Sequence, residues 1–523
     1  MTSGLSIAVP KINLLEEFSV RLFTTIAALR CYLAQCRKLD GTIALVPTMG
    51  ALHAGHLSLI ERARQENQWV VVSIFVNPLQ FGPQEDFDRY PRTLEADRAL
   101  CDQAGVDVLF APTPEEMGVL VPQPMQVVPP IALQAGLCGA SRPGHFNGVA
   151  TIVTKLFNLV QPDRAYFGQK DAQQVAIIQR LVQDLNLPVE VVPCPIVREA
   201  AGLALSSRNQ YLSAAEKAQA TTLYRSLTQA EQLFRQGERT AQSLITRVKT
   251  VLEETMDIQP EYVSLVDPTT LEPLSEVTET GLLAIAARLG KTRLIDNVLL
   301  RTRQPIIAID GPAGAGKSTV TKLVAKQLGL FYLDTGAMYR ALTWLVMNSG
   351  ISMMDEPAIA ELVGHCQIEL TDHQVFINGH EVTSAIRSPE VTAQVSNVAA
   401  QAAVRQALVR QQRDYGKRGG VVLEGRDIGT QVFPDAELKI FLTATVQERA
   451  RRRQKDLEAA GREVPSLEDL ELLIAERDAK DSNRAIAPLI KAVDAIELIT
   501  DGMSIEAVVN QIVQLYQERL YQD

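Results

Sequence analysis

Two histidines, His53 and His56, flank Ala54 and Gly55 in the segment TMGALHAGH at residues 48–56, directly after the apolar run IALVP. Imidazole N–H donors at this HxGH spacing suit the charge that builds on α-phosphate and leaving pyrophosphate oxygens when ATP is split between its α and β phosphates, and Gly55 allows close approach of the backbone. Zinc is a weaker explanation, because no third ligand is spaced to join the pair. Far down the chain, IIAIDGPAGAGKST carries the GxxxxGK[ST] pattern as Gly311, Gly316, Lys317 and Ser318. Backbone N–H groups freed by the glycines close around phosphate oxygens, Lys317 adds a point charge, and Ser318 offers a hydroxyl to magnesium. These two patterns predict two chemistries on one chain, adenylyl transfer and phosphoryl transfer.

Each pattern needs a strand behind it and a helix in front. Short β-branched runs at 42–46, 70–76, 106–110 and 189–197 alternate with helix-length segments, which predicts a parallel α/β unit, with the histidine loop at the end of its first strand. From Ser213 a helical pattern, AEKAQATTLYRSLTQAEQLFRQG, opens a smaller α+β lobe that closes at TRLIDNVLL. The polar, basic LRTRQP at 300–305 precedes the strand at 306–309 and serves as the boundary. The expected domains are 1–298, divided near 210 into a nucleotide-binding lobe and the smaller lobe, and 299–523. A length of 523 residues with 46% hydrophobic and 21% charged side chains gives each unit enough chain for its own core.

The formal charge of -10 argues against general affinity for nucleic acid or anionic membranes. Six cysteines without a CxxC pair predict neither a disulfide framework nor a zinc site. No run is long enough to span a membrane, and the N-terminal MTSGLSIAVPKINLLEEF lacks the features of a secretory leader, so the expected location is cytoplasmic.

Further segments surround the histidine pair: SIFVNPLQF followed by YPRT, SRPGHFNGVATIV, YFGQKDAQQ, GLALSSRNQYLS and the closing AARLGKTRLIDN. Together with TMGALHAGH they resemble pantothenate synthetase, the pantoate–β-alanine ligase family, over about residues 40–298. The resemblance implies a Rossmann-like HxGH nucleotidyltransferase fold. It implies an ATP site formed by Met49, Gly50, Ala51, Leu52, His53, Ala54, Gly55 and His56, by Gly168, Gln169, Lys170 and Asp171, by Val197, and by Leu205, Ser206, Ser207 and Arg208. His56 would be the proton donor, and Lys170 with the 206–208 residues would grip the triphosphate. Gln80 and Gln174 would hold pantoate, Gln80 would also lie near β-alanine, and Asn77 would help orient substrate. Amides suit a polyhydroxy acid because they both donate and accept. Gln169 stands where many members carry glutamate. The family is commonly dimeric, which implies a homodimer through residues 1–298.

Around the phosphate loop stand DTGAMYR, IRSPEVTAQVS, VRQALVRQQR, EGRDIGTQVFPDA, ERARRR and ERDAKDSNRAIAPL. They resemble bacterial cytidylate kinase over 305–523, a P-loop nucleoside monophosphate kinase fold. The resemblance implies ATP contacts from Gly311, Pro312, Ala313, Gly314, Ala315, Gly316, Lys317, Ser318 and Thr319, with Mg2+ on Ser318. It implies CMP or dCMP contacts from Thr335, Arg340, Arg405, Arg426, Asp427, Asp481 and Arg484, with the two aspartates near the sugar or base. Guanidinium forks grip phosphate oxygens bidentately and keep their charge. Arg449, Arg451, Arg452 and Arg453 would belong to a mobile lid. Lys480 stands where others have arginine, so it lacks the fork. The alternative is another HxGH nucleotidyltransferase joined to another small-molecule P-loop kinase. It is disfavoured because the first half is too short for a tRNA-binding body and the second matches well beyond its phosphate loop.

Overall fold

The computed structural model describes residues 20–521 apart from 40, 83, 84, 86, 122, 123, 372, 373, 460, 462, 463, 483, 485 and 486. All of the N-terminal stretch read for a leader lies outside the described residues, as do Asn483, Ala485 and Ile486 of ERDAKDSNRAIAPL. The chain divides into two compact units, Met1–Arg301 and Thr302–Asp523.

In the first unit β1 (Arg21–Phe23), β2 (Ile43–Thr48), β3 (Trp69–Ile74), β4 (Val108–Phe110), β5 (Arg164–Gly168) and β6 (Glu190–Cys194) form a parallel sheet in the order β1-β4-β3-β2-β5-β6. Its strands read as continuous apolar runs because both faces are covered. Ala44, Val46, Val70 and Val72 pack with Leu59, Ile60 and Ala63 of the helix Ala54–Glu66, while Ile43, Leu45 and Val71 point into the core shared with the helix His145–Val160. Each such Val, Leu or Ile contributes roughly 1.5–3 kcal/mol on burial. The histidine loop follows the second strand and not the first, because β1 is a three-residue edge strand too short to stand out in the sequence. Strand order reverses between β2 and β5, so their carboxyl ends flank the crevice where doubly wound sheets bind ligands.

Strands β7 (Ile258–Val266), β8 (Thr280–Leu289) and β9 (Thr292–Arg301) form an antiparallel sheet. Leu283, Ile285, Ala287 and Leu289 of β8 pack with Leu223, Leu227, Leu244 and Val248 from the helices Ala214–Arg235 and Ala241–Glu253. Leu282 and Ala284, on the opposite face, join the core of the parallel sheet. The smaller lobe thus shares a core with the larger one. The division between units falls after Arg301 and not after residue 298, because β9 continues to Arg301 and Leu300, assigned to the boundary segment, is buried in it.

In the second unit β10 (Ile306–Asp310) is the centre of a parallel sheet with β11 (Phe331–Asp334), β15 (Val421–Gly425), β16 (Leu438–Thr443) and β17 (Ile496–Ile499), in the order β11-β15-β10-β16-β17. Between β11 and β15 lies a small antiparallel sheet of β12 (Ile368–Leu370), β13 (Val375–Ile377) and β14 (His380–Glu381). The phosphate loop leaves β10, Thr335 follows β11, Arg426 and Asp427 follow β15, and the ERARRR helix Val446–Ala459 follows β16. The phosphate loop, DTGAMYR, EGRDIGTQVFPDA and ERARRR therefore all follow the carboxyl ends of strands in one sheet, whereas IRSPEVTAQVS and VRQALVRQQR lie on the helical stretch before β15.

Candidate active sites

After β2 the backbone turns through two left-handed residues, Gly50 (φ 84°) and Ala51 (φ 52°). The buried carboxylate of Asp97, on the helix Leu94–Gln103, accepts the N–H groups of Ala51 at 2.9 Å and Leu52 at 2.8 Å. His53 then caps the helix Ala54–Glu66, its Nδ1 accepting the Gly55 N–H at 3.1 Å, so the neutral ring carries its proton on Nε2. The His53 and His56 ring centroids are 4.1 Å apart, and His56 Nδ1 is buried without a hydrogen-bond partner. Burial first, then the His53 and Lys170 charges, push His56 down to about 3; burial and Lys170 push His53 down to about 4. Both rings are therefore neutral near pH 7 and can act as N–H donors beside Lys170.

A cavity of about 280 Å³ opens over this pair. Of the expected residues it is lined by Met49, His53, Gly55, His56, Asn77, Gln80, Gly168, Lys170, Asp171, Gln174, Val197, Ser206, Ser207 and Arg208. Gly50, Ala51, Leu52, Ala54, Gln169 and Leu205 are not in its lining. The first three form the turn held by Asp97, the Gln169 carbonyl accepts from Asn297, and the Leu205 N–H is bonded to the Val197 carbonyl. Asn77, in the cavity lining, supports Gln80. Its amide donates to Gln80 Oε1 at 3.1 Å and to the Gly148 carbonyl at 3.0 Å. Gly148 is required there, since a Cβ would lie 2.4 Å from the Leu79 carbonyl oxygen.

Several residues of this site carried no role from the sequence. Asn297 donates to the carbonyls of Gln169 and Lys170 and fixes the lysine turn. Arg142 grips Glu85 and donates to the Gln80 carbonyl, which also accepts the His145 Nδ1–H at 2.8 Å. Burial and Arg142 push His145 down to about 4. Tyr90 meets Ser207 at 3.2 Å between hydroxyls. YPRT and SRPGHF were visible as segments, but a lone tyrosine or histidine has no spacing that discloses its partner.

In the second unit Gly311 passes so close to β16 that a Cβ would lie 2.0 Å from the Leu442 carbonyl oxygen, which only glycine permits. Lys317 donates to the carbonyls of Gly311 and Pro312, both at 2.7 Å, and burial, then Arg426, pushes it down to about 8. Ser318 Oγ donates to Glu424 Oε2 at 2.7 Å. Asp310, fully buried and pushed up to about 7 by that burial, accepts the N–H groups of Ile428 and Gly429. No group of three or more His, Cys, Asp or Glu among the described residues forms a metal cage. The Ser318 hydroxyl beside a carboxylate does fit a magnesium ion that takes most of its ligands from phosphates and water.

Thr335 donates its hydroxyl proton to the Glu424 carbonyl at 2.6 Å, so the hydroxyl expected on the acceptor offers it only lone pairs. Arg340 stands 3.5 Å from Asp334. Asp427 and Asp481, expected near sugar or base, are ion-paired: Asp427 with buried Arg405, and Asp481 with both Arg426 and Arg484. Arg477, which carried no expected role, is exposed but lies within electrostatic reach of Arg426, Asp481 and Arg484. Four arginines thus face two aspartates, a cationic surplus suited to phosphate.

The four arginines expected in the lid differ in their surroundings. Arg449 is buried, holds Asp478 with two bonds and donates to the carbonyls of Ala444 and Ala313, the latter in the phosphate loop. Arg452 donates to the Ala315 carbonyl and to Thr500. Only Arg451 and Arg453 are exposed. Spacing alone could not separate them, because helix faces are assigned by what packs against them.

The first unit is thus an HxGH nucleotidyl-transferring fold and the second a P-loop kinase fold. The pantoate-beta-alanine ligase family profile matches residues 21–299, and the cytidylate kinase profile matches 307–518. A protein of Trichormus variabilis named bifunctional pantoate ligase/cytidylate kinase is 62% identical, over 96% of this chain and 100% of its own length. Proteins of the same name from Synechococcus elongatus (59% identical, 92% of this chain and 93% of that one) and a Synechocystis species (58%, 95% and 99%) are similar to it as well. The crystal structure of pantothenate synthetase from Thermus thermophilus is 48% identical over 53% of this chain and 99% of that one, with a TM-score of 0.51. The chain belongs to the bifunctional pantoate ligase/cytidylate kinase family.

Proposed function

We propose that the first unit joins pantoate to β-alanine using ATP, and that the second transfers a phosphoryl group from ATP to CMP or dCMP. The observation that carries the first activity is the meeting of two neutral histidines, Lys170, Gln80 and Gln174 in one cavity at the β2/β5 crevice. Gln80 and Gln174 hold pantoate so that a carboxylate oxygen attacks the α-phosphorus. The α–β phosphoanhydride bond breaks and pyrophosphate leaves, with His53 Nε2–H, His56 and Lys170 meeting the developing charge together with Ser206, Ser207 and Arg208. The β-alanine amine then attacks the acyl carbon, the carbon–oxygen bond to AMP breaks, and the amine's surplus proton passes to solvent. Alignment and exclusion of water supply most of the acceleration.

In the second unit the phosphate loop holds ATP, while Arg340, Arg405, Arg426, Arg484 and Thr335 hold the acceptor phosphate. Asp427 and Asp481 orient the arginines as well as the nucleoside. The attacking phosphate is already an anion, so no general base is needed, and Lys317 and the arginines neutralise charge in transfer. Ser318 would hold magnesium, which would supply further neutralisation of the nucleotide phosphates. A homodimer through the first unit and a cytoplasmic location complete the proposal; no helix among the described residues is long and apolar enough to cross a membrane.

Chromatography of two incubations tests both activities. Pantothenate plus AMP from ATP, magnesium, pantoate and β-alanine, and CDP plus ADP from ATP, magnesium and CMP, are expected. AMP formation supported by an amino acid and tRNA but not by β-alanine would overturn the ligase assignment, and ADP formation indifferent to CMP would overturn the kinase assignment.

A further inference from the structure

The YPRT segment and the start of the helix after it touch both loops proposed to hold the ATP phosphates. At one end, Tyr90, buried and in the cavity lining, meets the Ser207 hydroxyl at 3.2 Å, and the Arg89 carbonyl accepts the Tyr211 hydroxyl at 3.0 Å. At the other end, the two Asp97 oxygens each take one backbone N–H of the histidine loop, from Ala51 and Leu52, and Oδ2 also accepts the Thr93 hydroxyl at 3.2 Å. The bonds to the histidine loop fall where it needs support. Ala51 is held left-handed, a conformation disfavoured for an L-residue, and two residues later His53 must cap its helix.

We propose that residues 89–97 form a brace that sets the spacing between the HxGH loop and the 206–208 loop, with Asp97 and Tyr90 as positioning residues for adenylyl transfer. This rests on the ligase activity proposed above. Neither residue needs to touch the reacting atoms. Each acts through another, Asp97 through the placement of His53 and His56, Tyr90 through Ser207. A displacement of about 1 Å at such groups is enough to cost on the order of a hundredfold in rate.

The test uses the full chain, with its CMP kinase rate as an internal measure of protein concentration. Pantoate-dependent ATP–pyrophosphate exchange is measured for wild type, Asp97→Asn, Tyr90→Phe and the double variant. Asp97→Asn removes one of two acceptors and is expected to lower kcat roughly ten- to a hundredfold and raise the KM for ATP, leaving the KM for pantoate within about twofold. Tyr90→Phe, which deletes one hydroxyl, is expected to lower kcat about three- to tenfold, and the double variant to fall short of the product of the two losses because both act on one element. Wild-type kcat in Tyr90→Phe, equal losses in the KM for ATP and pantoate, or a loss accounted for by a smaller folded fraction in thermal melts would overturn the brace. Should Asp97→Asn fail to fold, Tyr90→Phe alone decides. Absence of exchange in the wild type would instead overturn the ligase assignment, and the brace with it.

Discussion

The buried histidines of the first unit make its stability fall in mild acid. His56 is pushed from 6.5 to about 3 and His145 to about 4, chiefly by burial, whereas His53 lies nearer the opening and contributes less. Above 6.5 neither folded nor unfolded chain binds these protons, and no penalty arises. Below 6.5 the unfolded chain takes them up while the folded chain refuses them until the pH reaches its own lowered value, so stability falls as pH falls through that window. From 6.5 to pH 5 is about 1.5 units at about 1.36 kcal/mol each, or about 2 kcal/mol per histidine and about 4 kcal/mol for the two. That is a large part of the roughly 5–15 kcal/mol that holds a domain folded. Glu85 does not confuse the window: burial would raise it but Arg142 holds it below its ordinary value of 4.5, so its contribution is lost only at lower pH. The chain has two tryptophans, Trp69 in the first unit and Trp344 in the second. Urea unfolding of Trp344→Phe followed by fluorescence therefore reports on the first unit alone. The stability at pH 5 should be about 4 kcal/mol below that at pH 7, and His145→Asn or His56→Asn should each reduce the fall by about 2 kcal/mol. Equal stability at the two pH values, or an unchanged fall in both variants, would refute the reasoning.

Lys317→Met should lower CMP kinase kcat on the order of 10²–10³-fold while leaving pantothenate formation at its wild-type rate, measured on the same preparation. Asp481→Asn frees Arg426 and Arg484 from the carboxylate that aligns them. Its KM for CMP should rise about tenfold or more with the KM for ATP nearly unchanged, as initial rates at varied CMP would establish. Arg449→Ala leaves Asp478 without its buried partner and the Ala313 carbonyl without a donor. Denaturant titration in a Trp69→Phe background, where Trp344 is the remaining tryptophan, should show a loss of about 1–3 kcal/mol in the second unit, with a higher KM for ATP.

Much of the fold was legible because parallel strands buried on both faces must be apolar at every position, as in IALV and WVVVS, and because turn and glycine signals bracket them. The HxGH and phosphate-loop residues were legible for a related reason: their chemistry depends on short spacings along the chain. What stayed hidden depends on contacts across long stretches of sequence. Asp97 reaches back 46 residues to Ala51, Tyr90 reaches forward 117 to Ser207, and Asn297 reaches back 127 to Lys170. Arg449 and Arg451, two positions apart on one helix, looked alike until Asp478 of the helix Leu467–Ser482 lay beside only the first. The last residues of the first unit, Leu300 and Arg301, read as part of the boundary segment because they sit next to polar neighbours, although they complete a strand whose partner begins at Thr280.

The central claim, that the first unit activates a carboxylate by adenylylation, is tested most directly by isotope transfer. Pantoate labelled with 18O in both carboxylate oxygens is incubated with the full chain, ATP, magnesium and β-alanine, and the products are weighed by mass spectrometry. One 18O in AMP and one in pantothenate is the predicted result, because the oxygen that attacks phosphorus leaves with it. Unlabelled AMP, or label found in inorganic phosphate released alongside ADP, would contradict it.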